Sequence, residues 1–115
     1  MDLPNNPDPA VRKAPHERRK YPRFILRVAL RLRGAKSDGT AFDETVSTSV
    51  VSAGGFACNC LTHLTEGSLA EVYLLASEQL LGSAKVVRVE PTSPPWYNYG
   101  FALTKPTLNW FLVPE

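Results

Sequence analysis

The sequence of 115 residues lacks several features that would assign it directly to a functional class. It contains no apolar run of the roughly 18–20 residues that a helix needs to cross a bilayer. Residues 1–14 have no apolar core, which argues against a secretory signal. The net charge is only +2, too small for a protein that coats nucleic acid, so any anion binding must be local. We therefore expect a cytoplasmic protein with no membrane partner and no general affinity for nucleic acid.

Residues suited to metal binding or nucleophilic catalysis are also scarce. The chain has two cysteines and two histidines. Cys58 and Cys60 would share one face of a strand, but only His63 and the distant His16 could complete a metal site. Buried free thiols are the simpler interpretation in a reducing compartment. Ser52 lacks the Gly-x-Ser-x-Gly context of a hydrolase nucleophile. The sequence thus predicts no metal site, no catalytic residue and no enzyme activity.

Proline is abundant, and its placement suggests the domain organisation. Four of the ten prolines fall within the first fifteen residues, among Asn and Asp, which predicts a flexible tail over residues 1–16. The remaining residues, 17–115, suffice for one domain. We divide it into a linker at 17–23, a barrel at 24–103 and a C-terminal turn at 104–115.

The barrel prediction depends on alternating apolar residues. From Phe24 to Leu32 every second residue is apolar, while Arg23, Arg27, Arg31 and Arg33 occupy the other face, which predicts a half-buried strand. We expect these arginines, apart from Arg23, to face water and to pair with carboxylates on a neighbouring strand. Turn signals separate five further predicted strands: Thr45–Val51, Phe56–Leu61, Leu69–Leu75, Gln79–Val89 with a bulge at Gly82, and Tyr97–Leu103. Regular short strands indicate an all-β sandwich or barrel.

The end of the chain predicts a short helical turn. Thr107 is a suitable N-cap, and Pro114 prevents a longer helix. Trp110, Phe111 and Leu112 would close one end of the barrel. Trp96, Tyr97 and Tyr99 would form either a stacking platform for a base or, more simply, packing at a barrel end.

A basic segment stands immediately before the first strand. Residues 17–23 read Glu-Arg-Arg-Lys-Tyr-Pro-Arg, with four cations in six residues. Guanidinium groups bind phosphate through paired hydrogen bonds, and they also fit the O6 and N7 acceptors of guanine. A solvated basic entry to the strand is the alternative. Further along, Ser52-Ala53-Gly54-Gly55 predicts a tight turn with positive φ or a close backbone approach.

These residues, in this order, resemble the PilZ domain family. Arg19 to Arg23 matches its RxxxR motif, and Val50 to Gly55 aligns with its (D/N)xSxxG motif. The resemblance extends from about Glu17 to Leu103. It implies a six-stranded antiparallel split barrel in bacterial second-messenger signalling, which binds cyclic di-GMP, a dinucleotide with two phosphates and two guanines. It also implies ligand contacts for five residues and no other cofactor: Arg18, Arg19, Arg23, Ser52 and Gly55. A receptor of this kind would act as a monomer or weak dimer on an effector protein.

One position departs from the family pattern. Val50 stands where Asp or Asn would accept hydrogen bonds from the N1–H and 2-amino groups of guanine. Ser49 or Thr48 could substitute in part; otherwise the loss would cost about 1–3 kcal/mol. Two alternatives therefore stay open: a PilZ adaptor that acts only through protein contacts, and a small RNA-binding barrel that uses the basic stripe and aromatics.

Overall fold

Six antiparallel strands close into a barrel in the computed structural model, which describes residues 21–107 and Trp110. The neighbours around the barrel follow the order β1-β2-β3-β6-β5-β4. This arrangement confirms the predicted all-β, six-stranded antiparallel barrel. The strands are β1 (Ala29–Ala35), β2 (Ala41–Ser52), β3 (Gly55–Cys60), β4 (Leu69–Leu74), β5 (Leu80–Pro91) and β6 (Tyr97–Leu103). Within the described residues, no helix has the length and apolar character to cross a membrane.

The prediction for the first strand is wrong at its start. The ladder of β1 begins at Ala29, whereas the alternating pattern begins at Phe24. Phe24 makes only an isolated bridge with Val51, so the segment before β1 lies beside the end of β2 without a continuous ladder. The alternation survives because Leu26 and Val28 still pack against the core. The five later strands differ from their predicted bounds by at most a few residues.

The barrel interior contains most of the residues predicted to face inward, whereas Phe24, the first of them, is 45% exposed. Leu30 and Leu32 of β1 are fully buried, and each contributes about 1.5–3 kcal/mol by leaving water. Cys58 and Cys60 are buried free thiols, as predicted, with their Sγ atoms 3.8 Å apart. The hydrogen bond between them and burial raise the pKa of Cys60 far above its usual range. The thiol of Cys60 is therefore protonated and a poor nucleophile.

Aromatic residues pack at both ends of the barrel. The Tyr99 hydroxyl donates to the Thr62 carbonyl at 2.9 Å and accepts from the Leu64 N–H at 2.7 Å, and burial raises the Tyr99 pKa. Trp110 is buried against Phe56 at the other end. Packing is thus confirmed for Tyr99 and Trp110, whereas Trp96 is exposed. Most of the predicted helical turn, including Phe111 and Leu112, lies outside the described residues, as does the predicted tail.

Three register shifts interrupt the ladders, and the one in β2 determines which residues face outward. Thr48 pairs with Cys58 and Val50 with Ala57, so Ser49 is the additional residue. Before this bulge Thr48 faces the interior; after it Val51 does. A bulge of one residue reverses the alternation of side chains. Val50 and Ser52 consequently face outward. A second shift lies beside Gly82, which confirms the predicted bulge there, and the third lies at Val87.

Candidate functional site

A groove of about 440 Å³ lies on the barrel surface where the end of β2 meets β3, β6 and β5. Small residues form part of its lining: Gly54 in the turn, Gly55 and Ala57 on β3, and Gly100 and Ala102 on β6. Arg23 and Tyr21 contribute from the segment before β1, and Arg88 contributes from β5. The other lining residues are Val50, Val51, Ser52, Phe56, Val87 and Phe101, of which Val87 is exposed and Val51, Phe56 and Phe101 are buried. The groove therefore combines a patch of small residues with two guanidinium groups.

Residues 24–28, which we call the anchor segment, hold Arg23 beside the groove. Phe24 exchanges two backbone hydrogen bonds with Val51, at 2.8 and 2.9 Å. Further along, the buried Thr48 hydroxyl donates to the Leu26 carbonyl at 2.6 Å and accepts from the Val28 N–H at 2.9 Å. Thr48 is buried, and its hydroxyl both donates and accepts a hydrogen bond. The anchor segment is thus tied to β2 at two points, one of which immediately follows Arg23.

The turn from Ser52 to Gly55 is held by hydrogen bonds to its carbonyl groups. The Ser52 carbonyl accepts from the Trp110 indole at 2.7 Å, and the Ala53 carbonyl accepts from the Thr107 N–H at 2.8 Å. The Gly54 carbonyl accepts from the Leu103 N–H at 2.9 Å. Within the turn, the Ser52 hydroxyl accepts from the Gly54 N–H at 3.2 Å. This network fixes the backbone on which Ser52 and Gly55 are presented.

Close approach requires glycine at Gly55 and leaves little space for a side chain at Gly54. A Cβ on Gly55 would overlap the carbonyl oxygen of Phe101 on β6. A Cβ on Gly54 would lie 3.0 Å from the ring of Tyr21. Neither Gly54 nor Gly55 has a positive φ. Of the two explanations the sequence offered for this glycine pair, the structure therefore supports close backbone approach.

Arg88 lines the groove and is oriented by polar neighbours. Its Nη1 donates to Asn98 Oδ1 at 3.0 Å and lies 2.8 Å from Glu90 Oε1. Asn98 in turn donates to Asn59 at 2.8 Å. Arg88 stands opposite Gly100, where a Cβ would lie 3.0 Å from Arg88 Nε. The absence of a side chain at Gly100 thus leaves the space that the guanidinium occupies.

The structure brings together those predicted site residues that it describes. Arg23, Ser52 and Gly55 all line the groove, and so does Val50. Arg18 and Arg19 lie outside the described residues. Our sequence reasoning missed Arg88, which it treated only as part of a strand. The available signal was a single arginine among valines in β5, but its position over Gly100 depends on the register and on the bulge at Val87.

The other predicted arginines lie away from the groove. Arg31 makes a two-pronged contact with Asp43 on β2, at 2.9 and 2.6 Å, and Arg33 lies 3.5 Å from the same carboxylate. The prediction of cross-strand pairing is confirmed for these two. The contact with Arg31 holds the pKa of Asp43 below its usual range. Arg27 is exposed. Among residues 21–107 and Trp110, no cluster of three or more His, Cys, Asp or Glu could hold a metal ion.

The fold and the groove define the class of this protein: a small antiparallel β-barrel domain with a basic groove on its surface. The sequence model of the PilZ domain matches residues 17–109, and the chain therefore belongs to the PilZ domain family. PilZ domains form a family of cyclic di-GMP receptors and adaptors rather than of enzymes.

Solved structures share this fold. The Bacillus subtilis inhibitor of motility, MotI/DgrA, aligns with a TM-score of 0.58 and 14% sequence identity over 79% of this chain. The MrkH–c-di-GMP complex of K. pneumonia aligns with a TM-score of 0.55 and 21% identity, also over 79% of this chain. The alignments cover 44% and 46% of those proteins, so the chain spans less than half of their length. At these identities the likeness shows the fold. No curated protein matches the chain.

Proposed function

We propose that this chain is a cyclic di-GMP receptor domain that holds its ligand in the groove and signals to a partner protein. The observation that carries the proposal is a surface groove lined by both Arg23 and Arg88 together with small residues. Guanidinium groups bind phosphates with charge-assisted hydrogen bonds and bind guanine through O6 and N7. The small residues leave room for a flat base. The MrkH–c-di-GMP complex adds support, because MrkH has the same fold and binds this nucleotide.

The proposed contacts that the structure describes all line the groove. Arg23 would bind phosphate and guanine, and Ser52 would donate a hydrogen bond to the ligand. Gly55 would let the ligand approach the backbone. Arg18 and Arg19, which precede the described residues, would add contacts through the RxxxR motif. Arg88 is an additional ligand contact, because it lines the groove and its side chain lies close to Asn98 and Gly100.

Signalling would follow from ordering of the arginine linker. The anchor segment ties Arg23 to β2, so a ligand bound to Arg23 would hold residues 17–23 on the barrel. Fixing that segment would present a new surface to an effector protein. The effector, the monomeric or weakly dimeric state and the cytoplasmic location stay predictions.

Calorimetric titration with cyclic di-GMP tests the proposal. We expect saturable binding by the wild type and a loss of about 2 kcal/mol or more, roughly thirtyfold, in Arg23→Ala, because the ligand anion then lacks its partner. Arg19→Ala should lose binding similarly. The matched control is Arg33→Ala, which removes an arginine on the other side of the barrel and should bind like the wild type. Wild-type affinity in both Arg23→Ala and Arg19→Ala would show that the assigned site is wrong.

A second candidate function is a PilZ adaptor that acts through protein contacts without nucleotide, as in motility or pilus assembly. The observation in its favour is Val50, which gives the groove an apolar side chain where the family motif has Asp or Asn. Absence of binding heat and an unchanged melting temperature with cyclic di-GMP would support it. Partners captured equally by wild type and Arg23→Ala, with or without nucleotide, would support it further.

A further inference from the structure

The side chains that line the groove differ sharply in their hydrogen-bonding capacity. Arg23 and Arg88 are donors only, and the hydroxyls of Tyr21 and Ser52 can donate or accept. Among the described residues that line the groove, none is a carboxylate or a carboxamide. The groove is therefore rich in donors and poor in strong acceptors.

A purine base presents different groups on its edges. Guanine offers O6 and N7 as acceptors on one edge, and it offers N1–H and the 2-amino group as donors on another. Arginine binds the O6 and N7 pair in a two-pronged contact. The N1–H and 2-amino donors would need an acceptor that can reach them. The side chains of the groove thus offer two guanidinium groups to the acceptor edge of guanine, and only the hydroxyls of Tyr21 and Ser52 as acceptors for its donor edge.

Neighbouring side chains do not supply the missing acceptor at Val50. Thr48 is buried and does not line the groove, and its hydroxyl is bonded to Leu26 and Val28. Ser49 is the bulge residue and does not line the groove; its hydroxyl lies 3.4 Å from the Ala57 carbonyl. The structure thus gives no support to the partial substitution by Ser49 or Thr48 that the sequence left open.

The polar groups beside Arg88 are also engaged. Asn98 Oδ1 and Glu90 Oε1 both contact Arg88 Nη1. Neither Asn98 nor Glu90 lines the groove, although both oxygens keep further acceptor capacity. Their contacts orient Arg88, which favours recognition of O6 and N7.

We propose that the groove recognises cyclic dinucleotides of the 6-oxopurine class through their phosphates and the O6/N7 edge, without reading the 2-amino group. This inference rests on the proposed function and specifies which part of the base is recognised. Hypoxanthine keeps O6 and N7 but lacks the 2-amino group, so it fits the groove as well as guanine does. Adenine carries a 6-amino donor in place of O6, which faces the guanidinium groups unfavourably.

Parallel titrations with three ligands test the inference: cyclic di-GMP, its hypoxanthine analogue cyclic di-IMP, and cyclic di-AMP. We expect cyclic di-IMP to bind within about threefold of cyclic di-GMP, because no contact of the groove would be lost. Cyclic di-AMP should bind about tenfold more weakly or worse. Val50→Asn supplies an acceptor and should strengthen cyclic di-GMP by about tenfold relative to cyclic di-IMP. Thr45→Asn, an equivalent change at an exposed outward position of β2, should alter neither ratio.

The outcomes separate this inference from the proposed function. Strong binding of cyclic di-GMP with cyclic di-IMP more than tenfold weaker would overturn the inference and leave the receptor function intact. Equal binding of all three ligands would also overturn it, because the O6/N7 edge would then not be read. Failure of all three to bind would contradict the receptor function and the inference together.

Discussion

The barrel has two concave surfaces that differ in volume and in the charge of the residues that line them. The larger, about 920 Å³, lies against β1, β2 and β4, and we call it the far concavity. Its charged lining residues are Arg33, Asp43 and Glu71, so carboxylates outnumber cations. The groove has less than half that volume, but its charged lining residues are Arg23 and Arg88. On the proposed function, a ligand with two phosphates would be favoured by the charges of the groove and not by those of the far concavity. Charge, rather than volume, therefore distinguishes the two surfaces.

The arginines of the two surfaces also differ in their contacts. On the β1 side, Arg31 uses both prongs of its guanidinium on Asp43. In the groove, the polar contacts of Arg88 with Asn98 and Glu90 both involve Nη1. An arginine whose two prongs already grip a carboxylate has little capacity for phosphate, whereas one held by a single nitrogen can bind with its other donors. The pairing pattern thus separates Arg31, which is committed to Asp43, from Arg88, which keeps donors available for the proposed ligand.

Replacing one glycine by alanine in each surface should give the largest difference between the two surfaces, in unfolding free energy and in nucleotide affinity. A Cβ at Gly34, in the far concavity, would lie 2.6 Å from the Leu69 carbonyl oxygen, which belongs to the backbone. We expect Gly34→Ala to lower the free energy of unfolding by about 1–3 kcal/mol in urea denaturation and to leave the nucleotide affinity of the folded protein unchanged. At Gly100 a Cβ meets only the Arg88 side chain. Gly100→Ala should therefore keep most stability and lose affinity. The reverse pattern would contradict our distinction between the surfaces.

Removing the Thr48 hydroxyl should have the next largest effect. Thr48→Val leaves the Leu26 carbonyl and the Val28 N–H without their partner, which should cost about 1–2 kcal/mol of unfolding free energy. Affinity for cyclic di-GMP should fall as well, because the anchor segment would no longer be held beside the groove. Thr45→Val, on the outward face of the same strand, is the control and should be near neutral. Equal stability and affinity in the two variants would show that Thr48 does not position the anchor segment.

Replacing one arginine by alanine in the groove and one on β1 should give the smallest difference in affinity and melting temperature. Arg88→Ala should weaken cyclic di-GMP binding by about tenfold, because one charged contact is lost while Arg23 stays. Arg31→Ala breaks an exposed ion pair with Asp43 and should change neither affinity nor melting temperature measurably. Calorimetric titration and thermal melting of both variants check this pair. Weaker binding in Arg31→Ala than in Arg88→Ala would indicate that the ligand binds on the β1 side of the barrel and not in the groove.

Local patterns in the sequence were sufficient to predict the strands and much of the core. Leu30 and Leu32 are buried because they lie on the apolar face of a strand with period two, and Cys58 and Cys60 follow the same rule on β3. The start of β1 could not be predicted in this way. Alternation continues through the anchor segment, but a ladder also needs a partner strand, and only Val51 makes a bridge to Phe24. That partner is distant in sequence.

The candidate site depends more heavily on distant pairing. The motifs located Arg23, Ser52 and Gly55, which do meet in the groove. The position of Arg88 results from the shift between Val86 and Arg88 against β6, and no local pattern reveals a bulge of this kind. The outward direction of Val50 likewise depends on the additional residue Ser49. Residues separated by a bulge exchange faces, so a sequence read with strict period two assigns them wrongly.

The hydrogen bond from the Trp110 indole to the Ser52 carbonyl gives the protein an intrinsic fluorescent reporter. The chain contains two tryptophans. Trp96 is 42% exposed and emits from a watery environment, whereas Trp110 is 3% exposed and sits behind the turn whose Ser52 lines the groove. Displacement of that turn would change the hydrogen bonding of the Trp110 indole, which donates to the Ser52 carbonyl. In a Trp96→Phe variant, the emission spectrum of Trp110 would report changes at the turn beside the groove, and no attached dye would be needed.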